Sequence, residues 1–195
     1  MDTARTRKEL THERIVETAA RAIRRGGFHG VGVADIMKEA GLTHGGFYAH
    51  FPSRNALLAE ALEHAGKATS EAVARRAASR KDNTSAFRTL VDGYLSEAHL
   101  QSCETGCPVA ALASEMPRQA PEVREVAAQR VRSLLAKVQA TLPQGTPAGS
   151  AGLVASQLVG SLQLARTLGD NAEGKRLLAA TRRHLLAQFD QPQSS

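Results

Sequence analysis

The chain has 195 residues, of which 42% are hydrophobic and 23% charged, enough for one large domain or two small ones around a real core. A formal net charge of +6 and a pI near 9.8 suit a polyanionic partner without requiring one. Two cysteines exclude a disulfide framework, and few aromatics with abundant Ala and Leu favour packed helices over strands.

Apolar residues recur with a helical period along most of the chain. The N-terminal "MDTARTRKEL" has no apolar run, so no signal peptide is expected. "HERIVETAARAIRRGG" places Ile15, Ala19, Ala22 and Ile23 on one face, and Gly26 and Gly27 stop that helix. Phe28 and Val31 lead into "VADIMKEA", with Val33, Ile36, Met37 and Ala40 on one side. Gly41 ends this second helix, and Thr43 is a good N-cap for the next. Pro52 and Ser53 open a fourth, longer helix carrying Ala56, Leu57, Leu58, Ala61 and Leu62.

The composition changes after about Lys67, and "KDNTS" reads as a loop. Helical patterns follow in "AFRTLVDGYLSEAHL", "PVAALASEM" and "PEVREVAAQRVRSLLAKVQATL". "PQGTPAGS" is a linker, and two last helices are expected around Ala151 to Leu168 and Ala172 to Phe189. The stretch from Val138 to Ala165 is uncharged, but its prolines, glycines, serines and glutamines keep it short of the ~20 predominantly apolar residues of a membrane span. A cytoplasmic protein with no membrane partner is expected. The fold class is all-α with about nine helices and no internal repeat.

The stretch "AGLTHGGFYAHFPSR", residues 40–54, carries the functional signal. A helix, a tight turn at Gly41 and a short helix capped by Thr43 make a helix-turn-helix pattern. The second helix of such a motif enters the DNA major groove by its N-terminal end. Gly45 and Gly46 each cost a helix roughly 1 kcal/mol against Ala. That cost is offset if their missing side chains allow close approach to phosphate; packing against the preceding helix is the alternative. Phe47 and Phe51 are four apart and face inward, whereas Tyr48 lies off that face and can present its phenol to a phosphate oxygen. His50 and Arg54 fall where a backbone contact is natural, and His44 suits a base edge or a phosphate.

The segment from Glu13 to Leu62 closely resembles the DNA-binding domain of TetR-family transcriptional regulators. Gly27, Phe28, Gly41, Leu42, Thr43, Gly45, Phe47, Tyr48, His50 and Phe51 match that family's motif in order and spacing. It departs from the family at Val31 and Gly32, where Thr and Ser are usual, and at His44 and Gly46. Direct base readout is therefore thin, and specificity leans on His44, Thr43, the second helix and DNA shape. The DNA-contacting set is Val33, Thr43, His44, Gly45, Gly46, Tyr48, His50 and Arg54. Residues 1–66 hold nine Lys and Arg against eight Asp and Glu, which favours placed contacts over the diffuse binding of an architectural protein.

The resemblance implies an N-terminal three-helix helix-turn-helix domain, residues 8–66, and a helical effector-binding and dimerisation domain, residues 67–195. It implies a homodimer on a pseudo-palindromic double-stranded DNA operator, released by a small-molecule effector, with no cofactor. Leu153, Leu158, Ser161, Leu164 and Leu168, then Leu177, Leu178, Thr181, Leu185, Leu186 and Phe189, with small Ala155, Ser156 and Gly160, suit a four-helix dimer interface. An ordinary intrachain core must explain part of this set. Tyr94, Ala98, Cys107, Leu112, Met116 and Gln157, apolar or singly polar residues of the central helices, are the expected pocket lining.

Pro108 suits a first helical turn, so Cys107 stands at a helix N-terminus, which lowers a thiol's pKa. An electrophile- or oxidant-sensing regulator, with Cys103 as resolving thiol, is the alternative, and the resemblance permits it. A metal pair is disfavoured, because Gly106 and Pro108 break the helix between the cysteines and no His completes a site. A small helical redox enzyme finds no support in paired carboxylates, zinc ligands, a phosphate loop or a nucleophile–base arrangement. The reading is therefore not an enzyme.

Overall fold

The structure is a computed structural model, and it describes residues 6–78 and 84–190. Nine α-helices and two short 3-10 helices form it, and no strand occurs among the described residues. Helix α1 spans Arg7–Gly26. It begins before "HERIV" because Thr6 and Glu9 form a capping box: the Glu9 amide donates to Thr6 Oγ1 at 3.2 Å, and the Thr6 amide donates to Glu9 Oε2 at 2.7 Å. Ile15, Ala19, Ala22 and Ile23 are fully buried along its inner face.

Helix α2 spans Val33–Glu39, and the Asp35 carboxylate accepts the Gly32 amide at 3.3 Å in place of a Ser or Thr cap. Gly41 turns the chain with φ +70°, a left-handed conformation that glycine adopts at little cost. The next segment, His44–Ala49, is a 3-10 helix rather than the expected α-helix. It is only six residues long and closes i to i+3 bonds, Gly46 N–H to Thr43 O at 3.1 Å and His50 N–H to Phe47 O at 2.9 Å. Two glycines and the restriction imposed ahead of Pro52 leave too little helix-forming drive to widen it.

Helix α3, Arg54–Ala78, starts where Ser53 Oγ accepts the Ala56 amide at 3.0 Å. It runs without a break across 66/67, where the composition suggests a domain boundary. The polar stretch and loop expected near residues 79–83 lie outside the described residues. The following pattern divides into α4, Ala86–Tyr94, and α5, Glu97–Gln101, because Ser96 caps the second by accepting the His99 amide at 3.1 Å. Then come α6, Pro108–Leu112, the 3-10 turn Met116–Arg118, α7, Pro121–Thr141, α8, Ser150–Leu168, and α9, Ala172–Phe189.

Two apolar clusters organise these helices. The first joins α1, α2, the 3-10 helix and the front of α3 to Leu112, Met116, Val123 and Ala127 from the later chain. The second joins α4 to α9, with Phe87, Val91, Val154, Leu158, Leu162 and Leu185 at its centre. The N-terminal head is thus welded to the body through α3, α6 and α7.

Candidate nucleic-acid interface and ligand cavity

Phe47 and Phe51 are each 1% exposed, with ring centroids 5.6 Å apart, and they anchor the 3-10 helix to the head. Its other side faces solvent. Thr43, His44, Gly45 and Tyr48 are exposed, and Tyr48 at 73% leans its ring edge-on against Phe47 at 5.1 Å. A Cβ at Gly45 would meet nothing within 4 Å, and one at Gly46 would make ordinary contact with Met37 Cε at 3.7 Å. Packing inside the chain therefore does not demand either glycine.

Several positions differ from the sequence expectation. Thr43 has the extended backbone of an N-cap, φ −80° and ψ 148°, but its hydroxyl makes no capping bond. Val33 is half-buried and packs on the head's core, so little of it is available to DNA. The Arg54 guanidinium donates to the Phe28 carbonyl and, at 3.3 Å, to the Val31 carbonyl. Through this one terminal nitrogen it ties the α1–α2 connection to the start of α3. His50 is half-buried with Nδ1 unbonded, and burial first, then His12 and Lys8, holds its imidazole below the usual range. A neutral His50 is favoured in the free protein.

Behind the head, α3, α4, α5, α7 and the 102–107 loop enclose a cavity of about 300 Å³. Tyr94, Ala98 and Cys107 line it, as do Ser70, Leu90, His99, Arg130, Leu134 and Lys137. Leu112 and Met116 do not; they are buried in the first core cluster, because α6 and the 3-10 turn after it pack them in the head's core. Gln157 also lies elsewhere, on α8 at helical spacing from exposed Leu153 and Leu164. Arg130 and Lys137 escaped the sequence reading because on a charged helix they resemble a solvated face. Only their apposition to Gly66 and Ser70 of α3 marks them.

Hydrogen bonds join two parts of the cavity wall. His99 Nδ1 lies 2.8 Å from the Tyr94 carbonyl, and the Cys107 amide donates to Nε2 at 3.0 Å. Nδ1 must then carry the proton and the ring is neutral. Tyr94 Oη is buried beside the Cys107 thiol, and burial, reinforced by that thiol, pushes its phenol well above the usual range. Both cysteines are free; Cys107 is 6% exposed, and Cys103 Sγ lies 3.6 Å from the Arg24 carbonyl.

The 102–107 loop also touches the head. Buried Arg24, at the end of α1, donates to the Gly106 carbonyl at 3.1 Å, and burial lowers its guanidinium to about 10. Arg25 bridges Glu104 of the loop at 3.1 Å and Glu39, at the end of α2, at 2.7 Å. The Phe28 amide donates to Glu115 Oε2, beyond α6, at 3.0 Å. One loop therefore forms both a cavity wall and the seat of the helices that precede the reading element. No cluster of His, Cys, Asp and Glu suited to a metal occurs among the described residues, and no helix there is long and apolar enough to cross a membrane.

Comparisons with known proteins agree with this architecture. Residues 15–61 match the family described as bacterial regulatory proteins, tetR family, and residues 84–184 match the tetracyclin repressor-like C-terminal domain. An uncharacterised HTH-type transcriptional regulator of Mycobacterium tuberculosis, Rv0196, is 31% identical over 81% of this chain and 85% of its own. The uncharacterised HTH-type regulator YxaF of Bacillus subtilis is 29% identical over 54% of this chain and 56% of its own. In fold, the chain is similar to Escherichia coli NemR in its reduced form, with a TM-score of 0.77, 18% identity and 94% of this chain and 99% of that one covered. A TetR-family regulator of Agrobacterium tumefaciens gives a TM-score of 0.74 at 22% identity, covering 93% of this chain and 98% of that one. With the reading head, the effector-type body and both family domains in register, this chain belongs to the TetR family of transcriptional regulators.

Proposed function

We propose that this regulator is a cytoplasmic, homodimeric repressor that a small molecule in the central cavity releases from a pseudo-palindromic operator. The observation that carries the reading is the 102–107 loop, which lines the cavity and bonds to the ends of α1 and, through Arg25, α2. A ligand that shifts this loop changes how the head sits on the body. It favours release to the extent that it binds the released arrangement more tightly.

The exposed faces of Thr43, His44, Gly45 and Tyr48 supply the DNA contact, Gly46 lets the backbone approach, and His50 adds a phosphate contact at the edge. Base contacts are few, so DNA shape contributes to specificity. Dimerisation brings two such heads together, and the outward stripe of α8, Leu153, Leu164 and Leu168, supplies apolar surface for it. Selection from random duplexes tests the reading: enriched sequences should hold two inverted half-sites about 34–36 Å apart, or somewhat more. Enrichment of single half-sites without symmetry would refute the dimeric reading.

Cys107 in the cavity wall supports a second reading, in which the thiol is itself the sensor. Cys107→Ser would then blind the protein to electrophiles. In the reversible-ligand reading that substitution leaves the response intact, and the native thiol, 6% exposed, resists alkylation at neutral pH.

A further inference from the structure

The cavity's charge is one-sided. Arg130 and Lys137 both line it, seven residues apart and so on one face of α7, and no Asp or Glu is among its lining residues. Lys137, at the solvent-accessible mouth, donates to Ser70 Oγ of α3. Burial lowers its ammonium below the usual range and Arg130 adds to this, against an opposing effect of the Cys107 thiol. Arg130 meets Glu63, outside the lining, at 3.1 Å through one terminal nitrogen, while its buried Nε donates to nothing among the described residues. Gly66 makes room for this guanidinium, since a Cβ there would lie 2.4 Å from Arg130 Cδ.

The remaining wall is divided. Thr69 and Ser70 donate their hydroxyl protons to the Ala65 and Gly66 carbonyls at 2.8 and 2.7 Å, whereas Val73, Leu90 and Leu134 offer apolar surface. His99 is neutral and contributes no charge. At about 300 Å³ the cavity is at the small end of ligand sites. Two cations on one wall, with no carboxylate among the lining residues, favour an anion in the cavity. A carboxylate matches a guanidinium edge and an ammonium better than any neutral head group.

We propose that the effector is a small organic monocarboxylate, its head group held by Lys137 and the Arg130 guanidinium and its apolar body lying against Leu90 and Leu134. This rests on reading the cavity as the effector site, and it specifies the chemistry of that site. A primary amide of the same shape can accept one hydrogen bond through its carbonyl but brings no negative charge to the two cations.

The full-length protein is heated with straight-chain carboxylates from butyrate to decanoate, benzoate and phenylacetate, each beside its primary amide. At least one acid should raise Tm by about 5–10 °C at a hundredfold excess over its Kd, and its amide should not. Calorimetric titration of that acid should show at least a tenfold weaker Kd in both Lys137→Met and Arg130→Gln, with Lys137→Arg retaining binding. Either variant losing its fold is recognised from its own melting curve, and the other then decides.

Operator binding, measured with and without the acid, separates the two layers. An acid that binds through Lys137 but leaves operator affinity unchanged supports the anion site and refutes the effector reading. Amides that bind as well as the acids and weaken operator binding overturn the anion proposal and leave the effector reading standing. No stabilisation by any acid in the series also overturns the proposal.

Discussion

Gly45 and Arg54 show opposite relations between a residue and its neighbours. Gly45 has open space where a side chain would go, and its φ is not in the left-handed region. Gly45→Val should therefore leave Tm nearly unchanged, within about 0.5 kcal/mol of stability, while abolishing operator binding in a gel-shift titration. A Val variant that binds normally would show that close backbone approach is not the reason for the glycine. Arg54, in contrast, holds the Phe28 and Val31 carbonyls through one terminal nitrogen. Arg54→Ala should destabilise the protein by about 1–3 kcal/mol through those charge-assisted bonds and leave the salt dependence of DNA affinity unchanged. A salt slope reduced by about 1 would instead place Arg54 on a phosphate. His50 adds a pH effect. Its folded-state pKa is lowered, so below the ordinary histidine value the unfolded chain binds more protons. Its contribution to stability is retained above about pH 6.5 and declines as pH falls through the lowered value. The Tm loss between pH 8 and pH 5 should be smaller in His50→Gln than in the native protein.

Elements, unlike single residues, are shared between the head and the body. Helix α3 belongs to both, and the head's core contains Leu112, Met116, Val123 and Ala127 from beyond it. A fragment of residues 1–66 would cut α3 in its middle and expose the inner faces of Leu57, Leu58 and Leu62. Circular dichroism of that fragment should show an unfolded chain; cooperative melting would establish an independent head. The 102–107 loop is the other shared element. Exposed ion pairs are worth about 0–1 kcal/mol each, so Arg25 contributes little to global stability. It nevertheless joins Glu104 to Glu39 across the two parts. Couplings between sites are typically about 1–3 kcal/mol, and losing one bridge should remove up to about fivefold of the effector's influence. The ratio of operator Kd with and without effector should fall in Arg25→Ala, while operator Kd without effector and effector Kd without operator hold. An unchanged ratio would move the coupling to other contacts, with Arg24 to Gly106 the next to test.

At the scale of the whole molecule, the last two helices have two tasks. Leu158, Leu178 and Leu185 are buried within the chain, and the Ser161 and Thr181 hydroxyls lie 2.9 Å apart between α8 and α9. Leu153 and Leu164 remain 67% and 60% exposed on the outer side of α8. The intrachain core thus uses one face of the pair and leaves a leucine stripe available for a second copy. Leu164→Glu should yield a folded monomer in sedimentation velocity with strongly weakened operator binding, because two half-sites would no longer be held by one particle. A dimer that persists would place the interface elsewhere.

What could be read without the structure was local. Helical periodicity marked α1, α2, α7, α8 and α9, Gly41 marked the turn, and the order of Gly45, Phe47, Tyr48, His50 and Phe51 marked the reading element, because each signal lies within a few consecutive residues. Thr6 and Glu9 were also legible as a capping box and lay just outside the first periodic stretch. The break between α4 and α5 was signalled by Ser96 alone, whose capping role depends on the neighbouring backbone. Three other features depended on tertiary contact. Arg54 looked available until the fold brought two carbonyls to it. Leu112 and Met116 resembled pocket lining until α6 and the 3-10 turn after it packed them in the head's core. Arg130 and Lys137 resembled surface charges until α3 set Gly66 and Ser70 opposite them. Periodicity tells which face of a helix is apolar, but the role of a polar side chain depends on which groups from distant parts of the chain lie within about 3 Å of it.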